Sequence, residues 1–280
     1  MPTPPRETVV TTDLDRTLIY SMAAIEATTN GAVPPLECVE LLDGQPLSYM
    51  TTEAARLLDL ISRSAVLVPT TTRTLAQFAR VTLPVGPTPY AITSNGGHIV
   101  VEGVVDSGWQ SAVEERIAGD GAALGEIVAG LEVLAAGDWV LNRKSADDLF
   151  CYLVVDLTRI PADFLSRWTS WCADRGWVVS VQGRKIYALP RGLTKEAALA
   201  EVMHRAGAER LLAAGDGALD AGFLAMADAA IRPPHGELHE TGWQSPNLQV
   251  SRTGGVLAGE EMCRWLANRL ADRAAAEPPL

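Results

Sequence analysis

The sequence predicts an α/β protein: a parallel sheet wrapped by helices on both faces, interrupted by a compact α+β insert. Three observations predict it. Short β-branched or apolar runs alternate with stretches of helical spacing over about 1–104 and again over 188–280. Several of those runs end in polar clusters: Asp13-Leu14-Asp15, Thr70-Thr71-Thr72-Arg73 and Gly215-Asp216-Gly217. Between the two blocks, residues 105–187 change to paired strand-like runs around helices, the pattern of a second small domain.

Residues 7–12, ETVVTT, are rich in β-branched types and read as a buried strand running into Asp13. Residues 51–63 place apolar side chains at helical spacing, with Thr51 or Thr52 to cap the start. A second strand, 65–69, precedes a helix that extends to about Arg80. Residues 89–94 form a third strand, and Asn95-Gly96-Gly97 turns it back into a hairpin. In the insert, residues 111–136 form one helix, or two broken near Gly121. Strands at 138–143 and 149–157 follow, then a helix over 161–175 with Trp168, Trp171 and Cys172 on its apolar face, then two strands flanking Gly183. After Pro190 the alternation resumes: helix 194–206, strand 210–214, helix 218–227, strand 229–231 and a last helix over 257–275.

Composition narrows the function. At 280 residues and 48% hydrophobic content, the chain buries a sizeable core without disulfides or structural metals. A net charge of −11 argues against a general nucleic-acid binder, which needs clustered Lys and Arg. Only Lys144, Lys185 and Lys195 are lysines; the other basic residues are arginines. Cys38, Cys151, Cys172 and Cys263 are far apart and lack metal-ligand spacing, so they read as buried thiols in a reducing compartment. The N-terminus has no signal-peptide pattern, and no apolar run reaches the roughly 18 residues of a membrane span. The expectation is a cytoplasmic protein with no membrane or nucleic-acid partner.

Ligands of open α/β sheets bind outside the carboxyl ends of the strands. The clusters Asp13/Asp15, Thr71/Arg73 and Asp216/Asp220 should therefore converge. Two carboxylates spaced as Asp13 and Asp15 are not cheaply buried without a counter-ion, and magnesium takes hard oxygen ligands. One carboxylate can then attack phosphorus while the other shuttles a proton. The plainer alternative is a polar loop. The hydroxyls near Thr71 either bind a phosphoryl group or cap the following helix. Lys195, at a helix start, opposes the macrodipole unless an anion sits beside it. Asp216 and Asp220 are one helical turn apart, so both can face one ion.

Taken together, Asp13-Leu14-Asp15-Arg16-Thr17, Thr71-Thr72-Arg73, Lys195 and Gly215-Asp216-Gly217-Ala218-Leu219-Asp220 resemble, in order, the four motifs of the haloacid dehalogenase superfamily of phosphohydrolases. The resemblance implies a Rossmann-like core over 1–104 and 188–280, with the insert as a C2-type cap that governs substrate choice. The cap's modest length is similar to that of sucrose-phosphate and mannosyl-3-phosphoglycerate phosphatases. It implies Asp13 as nucleophile, Asp15 as general acid/base, Thr71 and Lys195 on the phosphoryl group, and Mg2+ as cofactor. Asp13, the Asp15 backbone carbonyl and Asp216 would hold the ion, and Asp220 would bind its water or position Lys195. Arg16, Thr72, Arg73 and Asn95 would face substrate, Asn95 because Ser94-Asn95-Gly96-Gly97 resembles a turn of such relatives. In the insert, Arg143, Lys144, Arg184 and Lys185 flank predicted strands; they either meet a second anionic group of the substrate, a role assigned to Lys144 and Lys185, or form a solvated basic edge. The chain departs from the pattern at Arg16, where many relatives have Gly, and at Leu219, where many have Asn.

The activity implied is hydrolysis of a small phosphorylated metabolite, a sugar or polyol phosphate. Two alternatives share the motifs: transfer of the phosphoryl group to a sugar hydroxyl, and binding without catalysis. His98, His204, His235 and His239 lack metal spacing, and the run from Arg232 to Leu238 reads as a rim loop without an assigned mechanism.

Overall fold

The computed structural model describes residues 8–29 and 31–276; Glu7, the first residue of the expected opening strand, lies outside them. The chain divides into two units, Met1–Val105 with Lys195–Leu280, and Asp106–Thr194. The second boundary falls beyond 187 because the last strand of the insert runs to Pro190.

The first segment of the discontinuous unit runs β1 (Thr8–Thr12), β2 (Tyr20–Ser21), α1 (Met22–Thr29), β3 (Leu36–Leu42), β4 (Gln45–Thr51), α2 (Thr52–Ser64), β5 (Val66–Pro69), α3 (Leu75–Phe78), β6 (Tyr90–Thr93), β7 (His98–Val101) and β8 (Val104–Val105). The insert follows as α4 (Ser107–Gly119), α5 (Leu124–Leu134), β9 (Val140–Ala146), β10 (Phe150–Val155), α6 (Phe164–Ala173), β11 (Trp177–Gln182) and β12 (Lys185–Pro190). The chain then returns with α7 (Lys195–Ala206), β13 (Arg210–Ala214), α8 (Ala221–Met226), β14 (Ala229–Arg232), α9 (Glu237–Glu240), β15 (Leu248–Val250) and α10 (Gly255–Ala276).

The core sheet has the order β15-β14-β13-β1-β5, with every pairing parallel. Such strands are covered on both faces, which is why they read as apolar runs without alternation. Leu58 and Ile61 of α2 and Met262, Cys263 and Leu266 of α10 pack with Val10, Leu67, Leu212 and Ile231 in one cluster. Helices α7 and α8 pack together, with Leu199, Val202, Phe223 and Leu224 buried. Thr51 caps α2, its hydroxyl accepting from Ala54 N at 3.0 Å. Because β1 lies between β13 and β5, the ends of all three strands open side by side.

Two segments differ from expectation. The helix after β5 is a single turn, α3, capped by Thr74 in a box with Gln77. It stops because the chain then pairs with the edge of β3: Val81 bridges Glu40, and Thr82 N donates to Val39 O at 2.8 Å. Residues 36–51, assigned no element from sequence, form a hairpin that joins β2 in a three-stranded sheet.

In the second unit an antiparallel sheet, β11-β12-β10-β9, packs against α5 and α6. The expected break near Gly121 separates α4 from α5. Trp168 and Cys172 of α6 are fully buried, and Trp171 stacks on Trp168 with ring centroids 5.2 Å apart. One row across the sheet reads Lys144, Tyr152, Tyr187 and Ser180. Lys185, two residues before Tyr187, lies 5.7 Å from the Tyr152 ring and 5.9 Å from that of Tyr187. Among the described residues, no helix is long and apolar enough to cross a membrane.

Candidate active site

The carboxyl ends of β1, β5 and β13 carry the three polar clusters. The strands stay in register as they open: Asp13 N donates to Ala214 O at 2.9 Å, and Thr70 N to Thr12 O at 2.8 Å. Asp13, Asp216 and Asp220 are all buried, each offering an oxygen within 4.8 Å of the others. Lys195, the first residue of α7, reaches into them. Its Nζ donates to Asp13 Oδ1 and to Asp220 Oδ1, each at 2.7 Å, and only 1% of its side chain is exposed. The ammonium at a helix start thus has anionic partners that offset the macrodipole.

The electrostatics follow from crowding. Burial, with the charges of Asp220 and Asp15, pushes the Asp13 carboxyl up to about 7 against the opposing pull of Lys195. Burial and the charges of Asp13 and Asp220 hold Asp216 well above the usual carboxylate range. Burial opposes the Lys195 charge, but Asp13 and Asp220 outweigh it and raise its affinity for its proton. Once ionised, three carboxylates against one ammonium leave two negative charges to be met. An all-oxygen set with that deficit fits a hard divalent cation.

Asp220 holds the cluster rather than facing outward. Its Oδ1 accepts from Lys195, and its Oδ2 accepts from the backbone N–H of Asp216 at 3.0 Å and of Gly217 at 2.9 Å. Asp220 thus ties Lys195 to the loop that follows β13. The Asp15 carboxylate stands apart from the three buried aspartates. Instead Arg73 donates to both of its oxygens, Nε to Oδ2 and NH2 to Oδ1, each at 2.8 Å. Arg73 therefore faces Asp15, and the far side of its guanidinium is taken by Glu40 at 2.8 Å.

Thr71 is fully buried, and its Oγ1 accepts from Arg73 N at 3.1 Å. The helix cap is Thr74, so Thr71 is not spent on capping. Thr72 is also buried. Asn95 docks on this segment, its N donating to Thr71 O at 3.0 Å while Ser94 N donates to Arg73 O at 2.8 Å. Lys144 and Lys185 belong to the second unit.

Arg16 occupies the left-handed region at φ 63°, a conformation that glycine adopts without steric cost. Two groups hold its carbonyl: the Tyr20 hydroxyl donates to it at 2.7 Å, and His235 Nε2 lies 2.9 Å away. His235 Nδ1 accepts from Gly255 N at 3.3 Å, so its proton sits on Nε2 and is donated to Arg16. Burial lowers the His235 pKa and keeps the ring neutral. Next to it, Gly236 at φ 85° lies against Asp216: a Cβ there would stand 2.5 Å from Asp216 Oδ2 and 2.6 Å from its carbonyl oxygen. Leu238 N donates to that same carbonyl at 3.1 Å. The run from Arg232 to Leu238, expected to be a rim loop, thus backs the acidic cluster. Tyr20, His235, Gly236 and Glu40 were not among the residues expected from sequence. Of these, only Gly236, in a Pro-Pro-His-Gly turn, carried a local signal.

No family model and no curated protein matches the sequence. Solved structures do. The sucrose-phosphatase of Synechocystis sp. PCC6803, solved with sucrose and phosphate, matches with a TM-score of 0.61 at 16% identity, covering 93% of this chain and 98% of that one. A sugar phosphatase of haloacid dehalogenase subclass IIB matches with a TM-score of 0.57 at 9% identity, over 94% of this chain and 99% of that one. The C-terminal domain of trehalose-6-phosphate phosphatase from C. albicans matches with a TM-score of 0.54 at 12% identity, over 94% and 93%. At these identities the likeness is one of fold, and it spans both units of the chain: the protein has the haloacid dehalogenase-like fold of the sugar phosphatases, insert included.

Proposed function

We propose that the protein is a phosphatase that removes the phosphoryl group of a small phosphorylated metabolite by way of an aspartyl-phosphate on Asp13. The observation that carries this reading is Lys195 bonded at 2.7 Å to both Asp13 and Asp220 inside a buried acidic cluster. A carboxylate nucleophile and a phosphate monoester repel each other, and a fixed ammonium between them offsets that repulsion. A protein that only bound phosphate would gain nothing from a carboxylate at its centre.

In this reading an Asp13 carboxylate oxygen attacks phosphorus, the ester P–O bond breaks, and Asp15 gives its proton to the departing oxygen. Water then attacks the phosphorus of the acyl phosphate, Asp15 takes a proton from it, and inorganic phosphate leaves with Asp13 restored. Lys195 and the Thr71 hydroxyl hold the phosphoryl oxygens. Magnesium would be held by Asp13, Asp216 and the Asp15 backbone carbonyl, with Asp220 keeping Lys195 in place. When bound, it neutralises charge on the phosphoryl oxygens. Arg16, Thr72 and Asn95 would bind substrate close to the chemistry.

Sugar or polyol phosphates are the proposed substrate class. The fold relatives named for sucrose phosphate and trehalose 6-phosphate support it. So do Lys144, exposed on β9, and Lys185, at the start of β12, whose ammoniums suit a second anion. The test is phosphate release from a panel of sugar phosphates, with magnesium or with excess chelator. Release should require magnesium, and Asp13→Asn should abolish it while leaving the fold intact. Activity in Asp13→Asn above about a tenth of wild type would remove Asp13 from the nucleophile's role.

A further inference from the structure

We infer that Glu40, on the hairpin formed by β3 and β4, is a positioning residue that acts on Asp15 through Arg73. This rests on the phosphatase reading, in which Asp15 moves the proton.

The geometry is a chain of alternating charge. Arg73 grips Asp15 with Nε and NH2, and its remaining nitrogen, NH1, donates to Glu40 Oε1 at 2.8 Å. Glu40 is fixed from behind. Its Oε2 accepts from the Ser48 hydroxyl at 2.6 Å, and Arg80 donates to Oε1 from Nε at 3.3 Å and NH2 at 3.2 Å. The Glu40 side chain is fully buried and that of Arg73 is 9% exposed, whereas that of Asp15 is 44% exposed. The anchored end of the relay is therefore in the hairpin, and the open end is the carboxylate proposed to meet the leaving group.

A buried carboxylate is a poor way to attach a hairpin. Desolvation consumes most of what the ion pair gains, and apolar packing would serve as well. What Glu40 adds is direction. A guanidinium is a planar fork, and a carboxylate on its second edge fixes the plane in which the first edge presents its donors. Arg73 is a long side chain with Asp15 as its sole other acidic partner among the described residues. When Asp15 turns to protonate the leaving oxygen it must loosen its hold on Arg73. Glu40 keeps the guanidinium in place, so Asp15 approaches the leaving oxygen from one fixed position.

The test separates positioning from mere support of the hairpin. An aryl phosphate with an acidic phenol leaves without a proton, whereas an alkyl phosphate needs one. Steady-state rates in magnesium are compared for p-nitrophenyl phosphate and a hexose 6-phosphate. Glu40→Gln should lower kcat for the alkyl ester about tenfold and leave the aryl ester within about threefold, with KM little changed for either. Ser48→Ala, a milder disturbance, should move the same ratio in the same direction and serves if Glu40→Gln does not fold. In an Asp15→Asn background, Glu40→Gln should have no further effect on the alkyl ester. Equal losses on both esters, or effects that multiply with Asp15→Asn, would overturn the inference and leave Glu40 as a hairpin staple. A wild-type protein that hydrolyses neither ester would instead overturn the phosphatase reading, and with it the part given to Asp15.

Discussion

Asp13 sits where a carboxylate pays for its charge. Its pKa stands at about 7 in the fold against 3.8 ordinarily, so between those pH values the folded protein keeps a proton that the unfolded chain has lost. Stability from this group is complete below about pH 4 and is lost as pH rises through about 7; Asp216 acts in the same direction. A cation bound to the ionised cluster reverses the penalty. Magnesium should therefore raise the melting temperature markedly at about pH 8 and hardly at all at about pH 5, where protons occupy the site. Thermal unfolding with and without magnesium across this range checks it; a shift independent of pH would place the ion elsewhere. The residues of this cluster were legible because the strand-end motifs state their types and order. The hold on the Arg16 carbonyl was not, since Tyr20 and His235 meet it from places that only the folded chain brings near.

The segment after β14 makes the same point for an element. Its sequence is unusual, yet nothing local says that Gly236 abuts Asp216. Gly236→Ala combines a left-handed backbone position with a Cβ 2.5 Å from the Asp216 carboxylate, so Asp216 must shift. The expected result is a magnesium requirement raised by about tenfold or more, with secondary structure retained. A magnesium titration of activity, read beside circular dichroism, measures both; an unchanged requirement would separate Asp216 from the metal. The hairpin of β3 and β4 is a different case, because its signal was present and unused. Asp43 and Gly44 join Leu42 to Gln45 in a two-residue turn, both left-handed at φ 52° and 76°, the geometry that an Asp-Gly pair favours. The short α3 was illegible for a tertiary reason: helical spacing in residues 75–80 is cut off by pairing with β3.

At the scale of the whole molecule, alternating elements on either side of a strand-rich insert disclosed the architecture. Every strand of the parallel sheet lies outside the insert, as do Asp13, Thr71, Lys195, Asp216 and Asp220. Replacing Asp106–Thr194 by a short flexible linker should therefore leave a folded unit that slowly cleaves small aryl phosphates but no longer discriminates among sugar phosphates. Retained discrimination, measured as the ratio of kcat/KM values across the panel, would move specificity into the sheet-bearing unit. The discontinuity of that unit also sets an order of events during synthesis. The insert is one continuous stretch and can fold as it leaves the ribosome, whereas β1 must wait for β13, about 200 residues downstream, to take its place beside it. Asp13 and Lys195 are 182 residues apart in the chain. A nascent polypeptide thus carries Asp13 from the outset but lacks Lys195, Asp216 and Asp220 until the returning segment is made, so on the proposed reading a prematurely terminated product holds no complete site.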